Sequence, residues 1–199
     1  MPRPRSLPED EALEVSLRVF WSRGYDRTSI ADLSAALGLG PSSIYNAFGS
    51  KEELFRRAID RYVRTYVAPS LKLVAQPSEL GVVELMRKLM RSLVRVYTAE
   101  DCPPGCAIFQ GGSAAAPADS VAAAITQEPK AALLLSLRRR FTEYAQAGAP
   151  LASPPRTLAL VVLGTLSGIS QLACDGVPRA ELLQVADHVA RGCVRSEAS

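Results

Sequence analysis

A chain of 199 residues with 48% hydrophobic residues is long enough to bury a core without disulfides or a structural metal. Its net charge is only +3, so any nucleic-acid binding must come from where charges are placed and not from bulk charge. Four cysteines in a chain of this length do not make a disulfide framework. A single histidine, with no Ser/His/Asp arrangement and no glycine-rich phosphate loop, argues against an enzyme.

The first ten residues, MPRPRSLPED, lack the apolar region of a secretory signal, which predicts a cytoplasmic protein. The most apolar stretch, 157–173, carries Thr, Ser, Gln and Gly among its aliphatic residues. We interpret it as a buried or interface helix and not as a membrane span.

Helical periodicity runs along the chain, and no segment alternates apolar and polar residues as a half-buried strand does, which predicts an all-α fold of about nine helices. The first helix is predicted over 9–23, with one apolar stripe and an end at Gly24. The second begins after a cap at Thr28 or Ser29 and ends at Gly38.

The third helix, PSSIYNAF (41–48), starts at Gly40, and its proline suits the first helical position. Only Gly-Leu-Gly separates it from the second helix, which is the length of a helix-turn-helix connection. Ser50 and Glu53 have the spacing of a capping box, so a fourth helix is predicted from there to a stop before Pro69.

Five further helices are predicted beyond Pro69, where the composition shifts. Their ranges are about 78–99, 106–116, 118–147, 156–174 and 178–194.

The segment FWSRGYDRTSIADLSAALGLGPSSIYNAFGSKEELF resembles the N-terminal domain of TetR-type bacterial transcriptional regulators (the TetR/AcrR family). The positions that carry the resemblance are Phe20, Gly24, Tyr25, Thr28, Ser29, Gly38, Tyr45, Phe48, Lys51 and Leu54. The sequence departs from the family pattern at Gly40, where serine is commoner, and at Ile44, where leucine is. The resemblance covers about 9–57.

The resemblance implies a three-helix helix-turn-helix DNA-binding domain over 1–57, with an N-terminal arm over 1–8. A C-terminal effector-binding and dimerisation domain would cover 58–199. The implied function is that of a sequence-specific DNA-binding transcriptional regulator, a homodimeric repressor released from double-stranded operator DNA by a small, mostly apolar effector of unknown identity.

The resemblance also implies which side chains would contact DNA. Phosphate contacts would come from the start of the second helix, from a tyrosine and from a lysine, base contacts chiefly from Ser42 and Asn46, and minor-groove contacts from the arm. The full set is Arg3, Arg5, Thr28, Ser29, Pro41, Ser42, Ser43, Tyr45, Asn46 and Lys51.

Two further sites are expected in the C-terminal domain. The last two helices would form the homodimer interface, through Leu158, Val162, Leu166, Ile169, Leu182, Val185 and Val189. Aromatic and polar residues on the domain's helices would line the effector pocket: Tyr62, Tyr66, Tyr97, Phe109, Gln110, Phe141, Tyr144 and Gln171.

The sequence alone leaves two other functional hypotheses open. The helix-turn-helix could serve an adaptor that acts through a protein partner. Alternatively, Cys102 and Cys106, four residues apart across a Pro-Pro-Gly turn, could form a thiol switch in a regulator. The scattered cysteines and one histidine predict no metal site, and no cofactor is expected.

Overall fold

The computed structural model describes residues 7–111 and 120–195. The chain divides into two compact units. The N-terminal unit comprises Met1–Thr65 with Ala107–Thr126, and the C-terminal unit comprises Tyr66–Cys106 with Gln127–Ser199. The domain boundary at 57/58 stays a prediction.

The described residues confirm the all-α fold, in ten α-helices and one π-helical turn, Val63–Val67, with a single isolated β-bridge between Leu151 and Val194. The helices are α1 (Glu9–Arg23), α2 (Ile30–Leu37), α3 (Pro41–Phe48), α4 (Lys51–Tyr62), α5 (Ala68–Ala75), α6 (Val82–Tyr97), α7 (Ala107–Gly111), α8 (Val121–Gln146), α9 (Pro155–Cys174) and α10 (Arg179–Arg191).

The N-terminal unit is built around α1, which packs against α2, α4 and α7, while α3 packs against α2 and α4. The predicted stripe of α1 is its buried side, since Leu17 and Phe20 are essentially inaccessible to solvent. The Phe20 and Phe55 rings meet edge to face with centroids 5.0 Å apart, joining α1 to α4. On the outer side, Arg61 Nε lies 2.9 Å from Glu14 Oε2 and ties the same two helices together.

The starts of α2 and α4 are both capped by a serine, but to different extents. Ser29 and Asp32 form the complete capping box of α2, in which each side chain accepts a hydrogen bond from the other residue's backbone N–H. At α4 the Ser50 hydroxyl accepts from the Glu53 N–H at 3.0 Å. The Glu53 carboxylate lies 3.6 Å from Arg56 Nε instead. The full capping box predicted at α4 is therefore half formed.

The predicted stop before Pro69 is wrong. The chain continues through the π-helical turn into α5, where Pro69 occupies the first turn. Proline is tolerated there because the first N–H groups of a helix have no intrahelical acceptor.

The C-terminal unit is organised around α6, which packs against α5, α9 and α10. One face of α6 is entirely buried, including Leu85, Met86 and Leu89. Arg91 Nη1 lies 2.8 Å from Asp187 Oδ2 and links α6 to α10 at the surface. Among the described residues, α9 alone has the length and apolar composition of a membrane span. It packs against α6 and α10 within this unit, with only part of its surface buried.

Candidate nucleic-acid interface

The short helix α3 presents a small, polar and uncharged surface. Its two large apolar side chains, Ile44 and Phe48, are buried and fix the helix on α2 and α4. Its first turn begins at Pro41 after the extended residue Gly40, as predicted. The residues predicted to face DNA on this helix are all exposed, namely Pro41, Ser42, Ser43, Tyr45 and Asn46.

The outer face of α3 has the properties that a DNA groove requires. Small side chains in the first turn allow the helix backbone to come close to the bases, and hydroxyl and amide groups can bond phosphates or base edges. Tyr45 is 48% exposed although its neighbour Ile44 is in the core, so its phenol extends outward from the unit. The N-terminus of α3 adds N–H groups and a partial positive charge.

The start of α2 is held together by its own hydrogen bonds. The buried Thr28 donates its N–H to Tyr25 O at 3.2 Å and its hydroxyl to Gly24 O at 2.7 Å. The N–H of Ser29 and its hydroxyl both donate to Asp32 Oδ2, at 2.9 and 2.6 Å. Both residues therefore use their donors inside the unit, and the phosphate contacts predicted for them gain no support from this geometry.

Lys51 is half-buried and bonded to the turn between α1 and α2. Its Nζ donates to Tyr25 O at 3.1 Å and to Thr28 O at 3.0 Å. The same atom lies 4.1 Å from the centroid of the Tyr25 ring, a cation–π contact. Two of the three ammonium hydrogens thus hold this turn, a role that the sequence pattern did not predict. The predicted phosphate contact of Lys51 stays a prediction.

Two arginines near the start of α2 were not among the predicted DNA-contacting residues. Arg27 is exposed immediately before Thr28, and its Nε donates to Arg23 O at 3.0 Å. Arg23 Nη1 lies 2.6 Å from Asp32 Oδ1. The pKa of the Asp32 carboxyl is lowered, chiefly by its hydrogen bond from the Ser29 hydroxyl and also by Arg23. Because Asp32 pairs with Arg23, Arg27 is the better candidate for a phosphate contact at this turn. A basic residue two positions before the Ser29 cap was the signal available in the sequence.

Arg3 and Arg5 lie outside the described residues, so the predicted arm contacts stay predictions.

The helices predicted to form the dimer interface carry two apolar faces, and the predicted residues lie mostly on the inner one. Leu158, Val162, Leu166, Ile169 and Leu182 are buried in the C-terminal unit's own core, which leaves them unavailable to a second chain. Of the predicted set, Val185 is exposed and Val189 is half-buried. The exposed apolar side chains of α9 are Leu160, Val161 and Leu172.

A match to known proteins decides the family. Residues 12–58 match the family model described as "Bacterial regulatory proteins, tetR family". A cysteine mutant of the TetR family transcriptional regulator CifR, solved with 26-bp double-strand operator DNA, is 32% identical to this chain. The match covers 95% of this chain and 98% of CifR, with a TM-score of 0.83. The chain belongs to the TetR family of DNA-binding transcriptional regulators.

Two other relatives extend along most of this TetR-family chain. The HTH-type transcriptional repressor ComR of Escherichia coli is 29% identical over 189 residues, which is 92% of this chain and 88% of ComR. A TetR transcriptional regulator from Rhodococcus sp. RHA1 is 30% identical, with a TM-score of 0.61 and coverage of 93% of this chain and 98% of that chain.

The residues predicted to line an effector pocket are divided between the two units of this TetR-family regulator. Tyr62, Phe109 and Gln110 belong to the N-terminal unit, and Tyr66, Tyr97, Phe141, Tyr144 and Gln171 to the C-terminal unit.

Within the C-terminal unit, Tyr97 and Phe141 are buried, and the Tyr144 hydroxyl donates to Leu80 O at 2.5 Å. Gln171 is exposed on α9, where its Nε2 donates to Asp175 Oδ1 at 2.9 Å, so it lies on the outer surface of the unit. The pocket itself stays a prediction.

The suggested Cys102–Cys106 pair stays a prediction. Cys106 is buried, and its N–H donates to Ser170 Oγ of α9. The preceding residue, Gly105, lies against Cys174 Sγ, a thiol that no sequence motif marked. In the described part of the chain, no group of three or more His, Cys, Asp or Glu residues is placed to hold a metal ion.

Proposed function

We propose that this regulator is a homodimeric repressor, which reads operator DNA with the exposed face of α3 and leaves it when a small, mostly apolar effector binds. The observation that carries the proposal is the exposed row of Ser42, Ser43, Tyr45 and Asn46 on a helix whose apolar side chains are in the core. A major groove about 12 Å wide admits one such helix.

We assign different tasks to the exposed residues of α3. Ser42 in the first turn and Asn46 one turn later would contact base edges, since hydroxyl and amide groups can donate and accept there. Tyr45 would donate its hydroxyl to a phosphate. The basic groups nearest this face, Arg27 and Lys51, would supply the sequence-independent attraction.

The outer face of α9 supports the homodimer. Leu160, Val161 and Leu172 are exposed there together with Gly164 and Gly168, around whose Cα atoms an added Cβ would meet no atom within 4 Å. Exposed apolar patches of this kind mark interaction sites, and small residues let two helices approach closely. Two copies of α3 in a symmetric dimer would read half-sites about 34–36 Å apart.

The relative ComR of Escherichia coli is named a transcriptional repressor, which supports repression. A cytoplasmic effector would release the operator by binding more tightly to the dimer whose α3 spacing does not fit DNA, because a ligand shifts an equilibrium only through its differential affinity.

Fluorescence-anisotropy titration tests the proposal, with DNA from the region upstream of the protein's own gene and a random duplex as control. We expect selective binding of the upstream DNA whose affinity falls steeply with salt, and a complex that contains two chains by sedimentation. A promoter fused to a reporter should be silenced by the protein. Equal, weak binding to every candidate operator fragment would contradict the DNA-reading role.

A further inference from the structure

The loop that follows α6 lies directly against the C-terminal end of α9. Gly105 has φ +81°, and its N–H donates to Tyr97 O at 2.8 Å. A Cβ added at Gly105 would lie 2.6 Å from Cys174 Sγ and 2.9 Å from Ser170 O. Real Cβ contacts are longer than this, so only glycine allows the loop to sit so close to the Cys174 thiol.

Two hydrogen bonds hold the cysteines on either side of this contact. The Cys106 N–H donates to Ser170 Oγ at 2.8 Å, and the Cys174 thiol donates to Pro104 O at 3.3 Å. Ser170 and Cys174 are one helical turn apart on α9, while Pro104 and Cys106 flank Gly105 in the loop. The two cysteines are therefore fixed next to the same glycine, from two different elements.

The surroundings of the two thiols differ in a way that gives each a role. Cys174 is exposed, whereas Cys106 is buried. Burial raises the pKa of the Tyr97 hydroxyl, and its interaction with the Cys106 thiol raises it further. Burial lowers the pKa of the half-buried Lys130, and the charge of the same thiol partly opposes that shift. A cation and a hydroxyl donor stabilise a thiolate.

Exposure to solvent, and not a lowered pKa, makes Cys174 the thiol that a peroxide reaches. The pKa of Cys174 is raised first by burial of its sulfur, then by Asp175 and by Cys106, so the two thiols interact electrostatically. By contrast, Cys193 has its pKa raised to about 11 by burial alone.

We propose that Cys106 and Cys174 are an oxidisable dithiol, which hydroperoxides convert into a disulfide within one chain. The Cys174 thiolate attacks the peroxide O–O bond and becomes a sulfenic acid, and the departing oxygen leaves as water once protonated. The Cys106 thiolate attacks the sulfenic sulfur, and the released hydroxide takes up the proton that Cys106 lost. Overall, two thiols and one hydrogen peroxide give one disulfide and two waters, with two electrons passing to the peroxide.

The disulfide would tie the end of α9 to the point at which the chain passes from one unit to the other, since Cys106 ends a segment of the C-terminal unit and Ala107 begins one of the N-terminal unit. In a cytosolic protein, disulfides are usually transient and redox-sensing. The pair therefore differs in partner and in place from the Cys102–Cys106 pair that the sequence suggested.

Peptide mapping after hydrogen peroxide treatment tests the proposal on the full chain. Trypsin places Cys102 and Cys106 together in residues 96–130 and Cys174 in residues 157–179. We expect these two peptides to be cross-linked in the wild type and in Cys102→Ser, and the link to be lost in Cys106→Ser and in Cys174→Ser. Non-reducing electrophoresis should show the cross-linked protein at the size of a single chain.

A chemical trap separates the roles of the two thiols and does not depend on the disulfide. In Cys106→Ser, whose helical content is checked by circular dichroism, dimedone should label Cys174 after peroxide treatment. The exposed Cys174→Ser change leaves the core intact and should abolish that label. A link that survives Cys106→Ser, a link between two chains, or an absence of any link while the cysteines become over-oxidised would overturn the proposal. None of these readouts involves DNA binding.

Discussion

Replacing Lys51 with alanine should lower the stability of the protein as well as its affinity for DNA. The Lys51 ammonium donates to two backbone carbonyls, Tyr25 O and Thr28 O, and lies 4.1 Å from the Tyr25 ring centroid. A hydrogen bond that involves a charged group contributes about 1.5–3 kcal/mol, and an exposed cation–π contact about 0.5–1 kcal/mol.

Because Lys51 is only half-buried, we expect less than the sum of the low ends of these ranges, a loss of roughly 2–3 kcal/mol in the free energy of unfolding. For a chain of this size such a loss lowers Tm by roughly 5–10 °C. The loss should be visible without DNA, since both carbonyl acceptors belong to the protein.

Thermal unfolding followed by circular dichroism measures the effect, and Lys88→Ala is the matched control. Lys88 is an exposed lysine on α6 whose Nζ lies 3.7 Å from Glu84 Oε1. Surface ion pairs of this kind contribute little, so this variant should stay within about 0.5 kcal/mol of the wild type. If Lys51→Ala melts with the wild type and loses only DNA affinity, the structural role argued for this lysine is wrong.

Three further changes test other parts of the account. Tyr45→Phe should weaken operator and random DNA alike, by roughly 10–150-fold, because a hydrogen bond to a charged group contributes about 1.5–3 kcal/mol; a change in sequence preference would refute a phosphate contact. Gly168→Arg should give monomers by sedimentation, with a change at the exposed Ala131 of α8, Ala131→Arg, as the control. A dimer that persists in Gly168→Arg would exclude the outer face of α9 as the dimer interface. The stabilisation that Asp32 provides relative to Asp32→Asn, read as the Tm difference, should be present at neutral pH. It should be lost on acidification below about pH 4. A carboxyl whose pKa is lower in the folded than in the unfolded state stabilises the folded protein above its unfolded-state pKa, and this contribution disappears as the carboxyl is protonated. A Tm difference independent of pH would refute the capping argument.

The sequence predicted helices well wherever a local signal marked both ends. The starts and ends of α1 and α3 agree with those expected, because glycines at positive φ follow both helices. The sequence pattern does not predict α5, because it places a helix stop at Pro69, although proline is equally suited to a first turn. A proline alone does not indicate on which side of it the helix lies.

Which face of a helix is buried was harder to predict where two faces are apolar. On α9, Leu166 is in the core while Val161 is exposed, yet both recur at helical spacing with other aliphatic residues. Hydrophobic spacing identifies a stripe but does not identify its partner. The packing of α6 and α10 against one stripe of α9 identifies that stripe as the buried one and the other as the exposed one.

The exposed row of α3 was predictable from local spacing, because the buried residues Ile44 and Phe48 are one helical turn apart within a single short helix. The structural role of Lys51 was not predictable in this way. Its acceptors, Tyr25 O and Thr28 O, are 26 and 23 residues away along the chain. The same is true of Cys174 and Pro104, which are 70 residues apart. Contacts over such separations follow from the packing of whole helices, and no local pattern records them.

The ratio of operator affinity to random-DNA affinity, measured for the wild type and for Asn46→Ala by fluorescence anisotropy at one salt concentration, tests most directly whether α3 reads DNA sequence. We expect Asn46→Ala to lower the operator affinity by about 1–3 kcal/mol, roughly 5–150-fold, and to leave the random-DNA affinity nearly unchanged. A parallel fall on both duplexes, or no fall on either, would contradict the assignment of Asn46 and of the α3 surface as the part of the protein that recognises the operator.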